Sequence, residues 1–231
     1  MIDRWLGEVL AALDETDLWS STLVIVTSDH GHYLGEHGRW GKPPSLIYDT
    51  LGHIPLIACH PALGKPGSRV EALSTNVDLC ETLLANFGVT RTRQQRHGRS
   101  LLALMAGDDE PVRDHVLQGY WGQRVNLVTP SHKLARGVHD PAALSIYSNR
   151  WSTMPPFEMP KPDNRAELGA FLPGSDIPVI RQPLRPDQSA FFIWSVGDHS
   201  GDVCFDLAAD PGEEHAIADA RLSYLQDCLD E

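Results

Sequence analysis

Asp29 and His30 stand side by side, and Lys42 follows within the same short stretch, with His32 and His37 between them. Asp29 can offer a carboxylate oxygen and His30 an imidazole nitrogen. Adjacent residues that leave a strand for a turn can converge on one ion, so the pair reads as two ligands of a divalent metal. An oxygen-rich shell suits calcium, whereas an imidazole favours a borderline transition ion such as manganese or zinc; calcium and manganese both stay open. The structural readings of the same residues are a strand-end cap for Asp29 and a backbone-bonded turn histidine for His30. His32, His37 and His53 are loop histidines close enough in sequence to orient a leaving group or to bond behind the ligands.

The elements around this cluster say how it would be held. Leu23, Val24, Ile25 and Val26 are apolar without alternation, which predicts a short strand buried on both faces, as in a parallel sheet. Asp29 and His30 then fall at its carboxyl end, where ligands of open α/β sheets collect. Ile2, Trp5, Leu6, Val9, Leu10 and Leu13 recur at helical spacing and predict an amphipathic helix feeding that strand, half of a crossover unit. Beyond the cluster, Gly41-Lys42-Pro43-Pro44 predicts a loop, and residues 54–59 (IPLIAC) a second buried strand. Asn76 is a plausible cap for a helix carrying Leu79, Leu83, Leu84 and Phe87, with Gly88 as its stop.

Residues 90–100 are polar, with Arg91, Arg93, Arg96 and Arg99 unbalanced by acid, and read as a solvated connection in preference to a rim attracting an anionic substrate. After Gly107-Asp108-Asp109 the chain changes character. HVLQGYW and QRVNLVTPSHKLARG predict short strands of an antiparallel meander. Residues 150–188 are proline-rich and aperiodic, Phe191–Trp194 and Val203–Phe205 read as strands, and Ala216–Leu229 as a closing helix. The expected fold class is α/β: part of a mixed, mostly parallel sheet flanked by helices over residues 1–105, then a small antiparallel sheet plus helix subdomain over residues 106–231.

Composition narrows the function classes. The 231 residues carry 19 basic against 31 acidic side chains, a formal charge of −12, which repels phosphate backbones and argues against nucleic-acid binding. No apolar run approaches the roughly 18 residues of a membrane span. Met1 leads into the amphipathic helix and not into a signal peptide, so with Met1 as the true start the expected location is the cytoplasm. The four cysteines form no C-x-x-C pair and read as buried free thiols.

The pattern S-D-H-G-x-x-L-G-E-H-G (Ser28 to Gly38), followed by a G-K-P at Gly41 to Pro43 and the I-P-L-I of residues 54–57, resembles the sulfatase branch of the alkaline phosphatase superfamily, metal-dependent hydrolases of sulfate and phosphate esters. The tail Phe205-Asp206-Leu207 with Asp210-Pro211-Gly212-Glu213 resembles that branch's F/Y-D-L-x-x-D-P-x-E ending. The resemblance covers nearly the whole chain but only the carboxy-terminal half of a family member. It implies that Asp29 and His30 are metal ligands and that Lys42 is the lysine that points its ammonium at the sulfate oxygens, a task suited to a compact, fully charged donor.

The resemblance also implies parts that this sequence lacks. Sulfatases of this type make a formylglycine nucleophile from a C-x-P-x-R or S-x-P-x-R segment. Cys59-His60-Pro61-Ala62-Leu63 matches its first three positions without the arginine and lies downstream of the Asp-His pair, so it reads as a decoy. The family's early aspartate pair has no counterpart before Asp29. The expected function is a sulfatase-like hydrolase acting on a small-molecule or glycan sulfate ester, represented by its carboxy-terminal half. The alternatives are a phosphate or phosphonate ester hydrolase of the same superfamily and a non-catalytic truncated remnant. A missing amino-terminal half or self-association would satisfy the exposed edges of a partial sheet.

Overall fold

The computed structural model of the chain describes residues 1–43, 46–64, 66–89, 96–120, 123–138, 144–149, 162–184, 201–217, 225 and 227–229. Two compact units interleave along the sequence. One comprises Met1–Asp29, Ile54–Thr90 and Gly98–Arg113; the other comprises His30–His53, Arg91–His97 and Asp114–Glu231.

In the first unit, α1 (Ile2–Glu15) forms where the apolar spacing predicts it, yet none of its residues is buried. Strand β1 (Val24–Thr27) pairs with β4 (Leu56–Cys59), antiparallel, in register Val24 to Cys59. This corrects two details of the sequence reading. The described part of this sheet is a two-stranded antiparallel ribbon, not a parallel pair. Its apolar run is also not enclosed: β1 is half-buried and β4 is exposed along its length. An unbroken apolar run reports that neighbours are expected on both faces, and says nothing of strand direction.

Helix α3 (Asn76–Asn86) differs from expectation on two counts. Its cap is Thr75, one residue before Asn76, closed by the Asp78 carboxylate accepting from the Thr75 N–H at 2.8 Å. The buried face is also polar: Asp78 and Thr82 are enclosed, whereas Leu83 and Phe87 are exposed. Asp78 gathers donors from three places, the Thr75 N–H, the Arg99 N–H at 2.7 Å and the Arg113 guanidinium. The Thr82 hydroxyl donates to the Asp78 carbonyl at 2.7 Å and accepts from the Leu101 N–H at 2.9 Å, tying α3 to the segment before α4 (Leu102–Ala106).

The second unit contains a hairpin, β2 (Tyr33–Leu34) with β3 (Trp40–Gly41), and one turn of helix, α2 (Asp49–Gly52). Its main sheet has the order β11-β7-β6-β5, from β5 (Val116–Gly119), β6 (Val125–Val128), β7 (His132–Arg136) and β11 (Val203–Asp206), all antiparallel. The β5 to β7 meander follows the sequence reading.

Cross-strand alignment of Leu127, Leu134 and Cys204 builds a core on one sheet face, with Leu225 against it. Burying a side chain of the leucine class contributes about 1.5–3 kcal/mol. Strand periodicity sends Lys133 and Ala135 to the other face, where Ala135 packs with Leu46 and Phe205. A second sheet, β8-β10-β9, joins Ser145–Ser148, Val179–Pro183 and Glu167–Gly169.

The expected strand at 191–194, Arg91 and Arg93, and the proline-rich stretches 151–161 and 185–190 lie outside the described residues. Of the expected closing helix, residues 225 and 227–229 are described and are helical. Cys204 is buried and Cys228 half-buried, but Cys59 and Cys80 are exposed, against the buried-thiol reading for those two. No described helix is long and apolar enough to cross a membrane.

Candidate active site

Asp29 closes the first unit's β1 segment and is exposed. The Asn76 side-chain amide donates to its carbonyl at 3.4 Å, and the Ser28 hydroxyl lies 3.4 Å from its Oδ1. These contacts fix the backbone just past the strand and leave the carboxylate at the surface.

In the second unit, the hairpin explains how Lys42 returns to His30. Tyr33 pairs with Gly41 and Leu34 with Trp40, so the residue after β3 comes back alongside the residues before β2. The turn between them is built on left-handed backbone at His37 (φ 51°) and Gly38 (φ 66°), with Leu34 N–H donating to the Glu36 carboxylate at 2.6 Å. Lys42 Nζ consequently lies 2.8 Å from His30 Nε2. His30 Nδ1 lies 2.8 Å from the Gly31 carbonyl oxygen. The two contacts agree on one tautomer: Nδ1–H donates to the carbonyl and the Nε2 lone pair receives the lysine ammonium.

The hairpin is itself held. Tyr33 is completely buried, its hydroxyl donates to the Leu46 carbonyl at 3.3 Å and accepts from the Tyr48 N–H at 3.2 Å, and burial pushes its phenol above the ordinary range. Gly31 N–H donates to the Leu51 carbonyl at 2.8 Å, which lays the residue after His30 against α2.

Two sequence candidates have other partners. The His37 ring stacks on Tyr48 at 3.6 Å and 5° between planes, and His53 lies 3.5 Å from the Asp49 carboxylate. At the decoy motif, His60 Nε2 faces Asn86 Oδ1 at 3.0 Å and His60 Nδ1 accepts the Ala62 N–H at 3.0 Å. The segment is therefore a locked turn with an exposed Cys59 and no arginine, and it does not fit a formylglycine precursor.

Sequence reasoning missed Lys133 and the use made of Glu213. Lys133 is fully buried and forms ion pairs of 2.6 Å with both Asp49 and Glu213. Glu213 in turn accepts the Asp49 N–H at 2.5 Å. Burial pushes the Glu213 carboxyl above the ordinary range, opposed by the neighbouring Lys133 ammonium. Lys133 lies in β7, whose residues His132 to Ala135 are all buried, a place where a lysine is rare unless its charge is paired.

A divalent metal is what the fold family implies at the Asp-His pair. The donor chemistry of His30 fits, because Nδ1 is committed to a backbone carbonyl and Nε2 is left as the basic nitrogen. Among the described residues no cluster of three or more histidine, cysteine, aspartate or glutamate side chains could hold a metal.

Comparison with known proteins places these residues inside a recognised family match. The Sulfatase family model matches residues 1–89, a stretch that contains Asp29, His30 and Lys42. Arylsulfatase K of Gallus gallus is 34% identical over 134 residues, covering 55% of this chain and 24% of that protein. Arylsulfatase K of Canis lupus familiaris is 28% identical over 216 residues, 94% of this chain and 31% of that protein. A protein solved in complex with its substrate D-glucosamine-2-N,6-O-disulfate superposes with a TM-score of 0.66 at 20% identity, over 99% of this chain and 37% of that one. The fold is thus the α/β fold of these structures. The chain is similar to the sulfatase family over residues 1–89, and spans about a quarter to a third of the length of these curated relatives.

Proposed function

We propose that the chain carries part of a sulfate-ester hydrolase site, in which Asp29 and His30 bind a divalent metal, calcium or manganese, and Lys42 binds the sulfuryl oxygens. The observation that carries the reading is the 2.8 Å approach of Lys42 to His30, which brings the anion-binding ammonium to the imidazole of the metal pair. A divalent ion held there would supply Lewis acidity toward a sulfuryl oxygen. Lys42 supplies a fixed positive charge for the same oxygens, and the Nδ1 contact keeps the His30 ring turned with Nε2 toward Lys42; a metal ion taking that one lone pair would displace the ammonium from it, toward the sulfuryl oxygens.

No C-x-P-x-R or S-x-P-x-R segment occurs in this sequence, and no step is assigned to a nucleophile. The substrate class in this reading is a small-molecule or glycan sulfate ester, supported by the disulfated glucosamine bound in the related structure. Residues 1–105 would be the carboxy-terminal part of the family's α/β catalytic domain and 106–231 the small subdomain after it.

The test is binding to the full chain: calcium and manganese by calorimetry, and inorganic sulfate by NMR titration with metal present. Metal affinity is expected to be lost in Asp29→Ala and His30→Ala. Sulfate affinity should weaken about tenfold or more in Lys42→Ala, the worth of a hydrogen bond to a charged group, about 1.5–3 kcal/mol. Metal binding unchanged in both ligand variants overturns the metal assignment. Turnover of an aryl phosphate in preference to an aryl sulfate would move the substrate to phosphate esters.

A further inference from the structure

We infer that Glu213 and Lys133 are positioning residues for the His30–Lys42 pair, acting through the single turn of α2; this rests on the reading of His30 and Lys42 given above.

The first link is the buried ammonium. A lysine enclosed on a sheet face is tolerated only when its charge is matched, and Lys133 is matched twice, by Asp49 and by Glu213 at 2.6 Å each. Apolar residues of similar volume would stabilise that position as well or better. What the ions add is a fixed place for the segment they grip. Lys133 Nζ also reaches the Ile47 carbonyl at 3.5 Å, and the Asn126 side chain donates to the same carbonyl at 2.7 Å. Residues 47–49 are therefore held by Lys133 and Asn126 from the sheet face and by Glu213, through the Asp49 N–H, from the turn after β11.

The second link is Glu213 itself. Its backbone lies at φ 56°, left-handed for a residue that is not glycine, in the turn after Asp210. Such a conformation persists where the surroundings over-determine it. Here they do: the Glu213 N–H donates to the Asp210 carbonyl at 3.0 Å, and its carboxylate is spent on Lys133 and on the Asp49 N–H.

The third link joins α2 to the site. Gly31 donates to the Leu51 carbonyl at 2.8 Å, and a Cβ added to Gly31 would sit 2.0 Å from the Thr50 carbonyl oxygen. The backbone after His30 thus lies directly on α2 with no slack between them. The Gly31 carbonyl then orients His30 through Nδ1, and Nε2 meets Lys42. A shift of α2 is passed to the imidazole, and displacements on the scale of an ångström are enough to lower a site's performance by large factors.

The experiment uses the full isotope-labelled chain and three readouts: the nuclear Overhauser contact between the His30 ring and the Lys42 side chain, the affinity for inorganic sulfate, and unfolding followed by circular dichroism. Glu213→Ala removes the acceptor for Asp49 N–H and one partner of Lys133; Glu213→Gln keeps a carbonyl acceptor. The double variant Lys133→Met with Glu213→Leu removes both charges while keeping the volume filled, so it decides the matter if Glu213→Ala fails to fold.

The expected result is a folded chain in which the His30–Lys42 contact is lost and sulfate binds about tenfold more weakly, with Glu213→Gln restoring most of both. A folded Glu213→Ala or double variant with the contact and the affinity of the parent overturns the inference, as does a parent chain that shows no His30–Lys42 contact. A parent that shows the contact, loses it in these variants and yet binds no sulfate leaves the positioning role standing and removes the sulfate role of Lys42.

Discussion

Gly31 is where the site's position is decided by one residue's lack of a side chain. Its constraint is space and not backbone conformation, because the atom that a Cβ would strike, 2.0 Å away, is a backbone carbonyl oxygen of Thr50 that cannot rotate aside. Gly31→Ala should therefore lower the unfolding free energy of the chain by about 1–3 kcal/mol, the usual scale of overpacking. Urea denaturation measures it; a variant as stable as the parent would mean that the turn does not rest on α2. Asp29, His30 and Lys42 were singled out in the sequence by residue type and close spacing, and the structure brings Lys42 to 2.8 Å from His30. Glu213 was legible only as a letter in a tail motif. Its contact with Asp49 spans 164 residues and that of Lys133 with Asp49 spans 84, distances over which no local pattern carries information. His37 went the other way: its type suggested chemistry, and the fold uses its ring as a stacking partner for Tyr48.

The turn from Asp206 to His215 shows the same division between what a pattern reveals and what it is for. Asp206 Oδ1 accepts the N–H groups of Ala208 and Ala209 at 3.0 Å each, and Asp210 Oδ2 accepts the His215 N–H at 2.7 Å. Two aspartates so spaced wind the backbone until Glu213 faces inward. The His215 N–H holds the Asp210 carboxyl below the ordinary carboxylate range. A carboxyl with a lowered folded pKa contributes stability above its unfolded value and loses that contribution as pH falls through the folded value. Glu213 has the opposite sign: with its carboxyl raised by burial, its contribution falls as pH rises from the unfolded to the folded value.

Asp210→Asn isolates the first effect. The parent should be the more stable protein at neutral pH, and the two melting temperatures should converge as pH falls below the ordinary carboxylate range. A constant difference across the acid range would assign the turn to neutral hydrogen bonding alone. Among the other elements, the β5 to β7 meander was readable because alternation and turn residues are local signals. Helix α3 was read on the wrong face, since Asp78 and Thr82 gain their burial from donors on distant segments and leave Leu83 and Phe87 outside.

At the scale of the whole molecule, two surface properties oppose one another. The chain carries a net charge of −12, which keeps copies apart. Its first unit, however, exposes apolar side chains that were expected inside: Ile2 at 82%, Trp5 at 57% and Val9 at 58% on α1, and Ile57 at 65% on β4. Those residues read as core from sequence because spacing and apolarity encode a need for neighbours without supplying them, and exposed apolar surface of this kind favours association.

Salt sets the balance, because the screening length contracts from about 10 Å at 0.1 M to about 3 Å at 1 M while apolar attraction persists. The isolated chain should therefore sediment as a smaller species at low ionic strength and associate as salt rises. A variant with Trp5→Glu and Ile57→Lys should stay small in both conditions, since it removes apolar area from both elements without changing the net charge. A parent chain that remains a monomer in concentrated salt would show that these side chains are too dispersed to act as a surface, and would leave the ribbon of β1 and β4 stable without any cover.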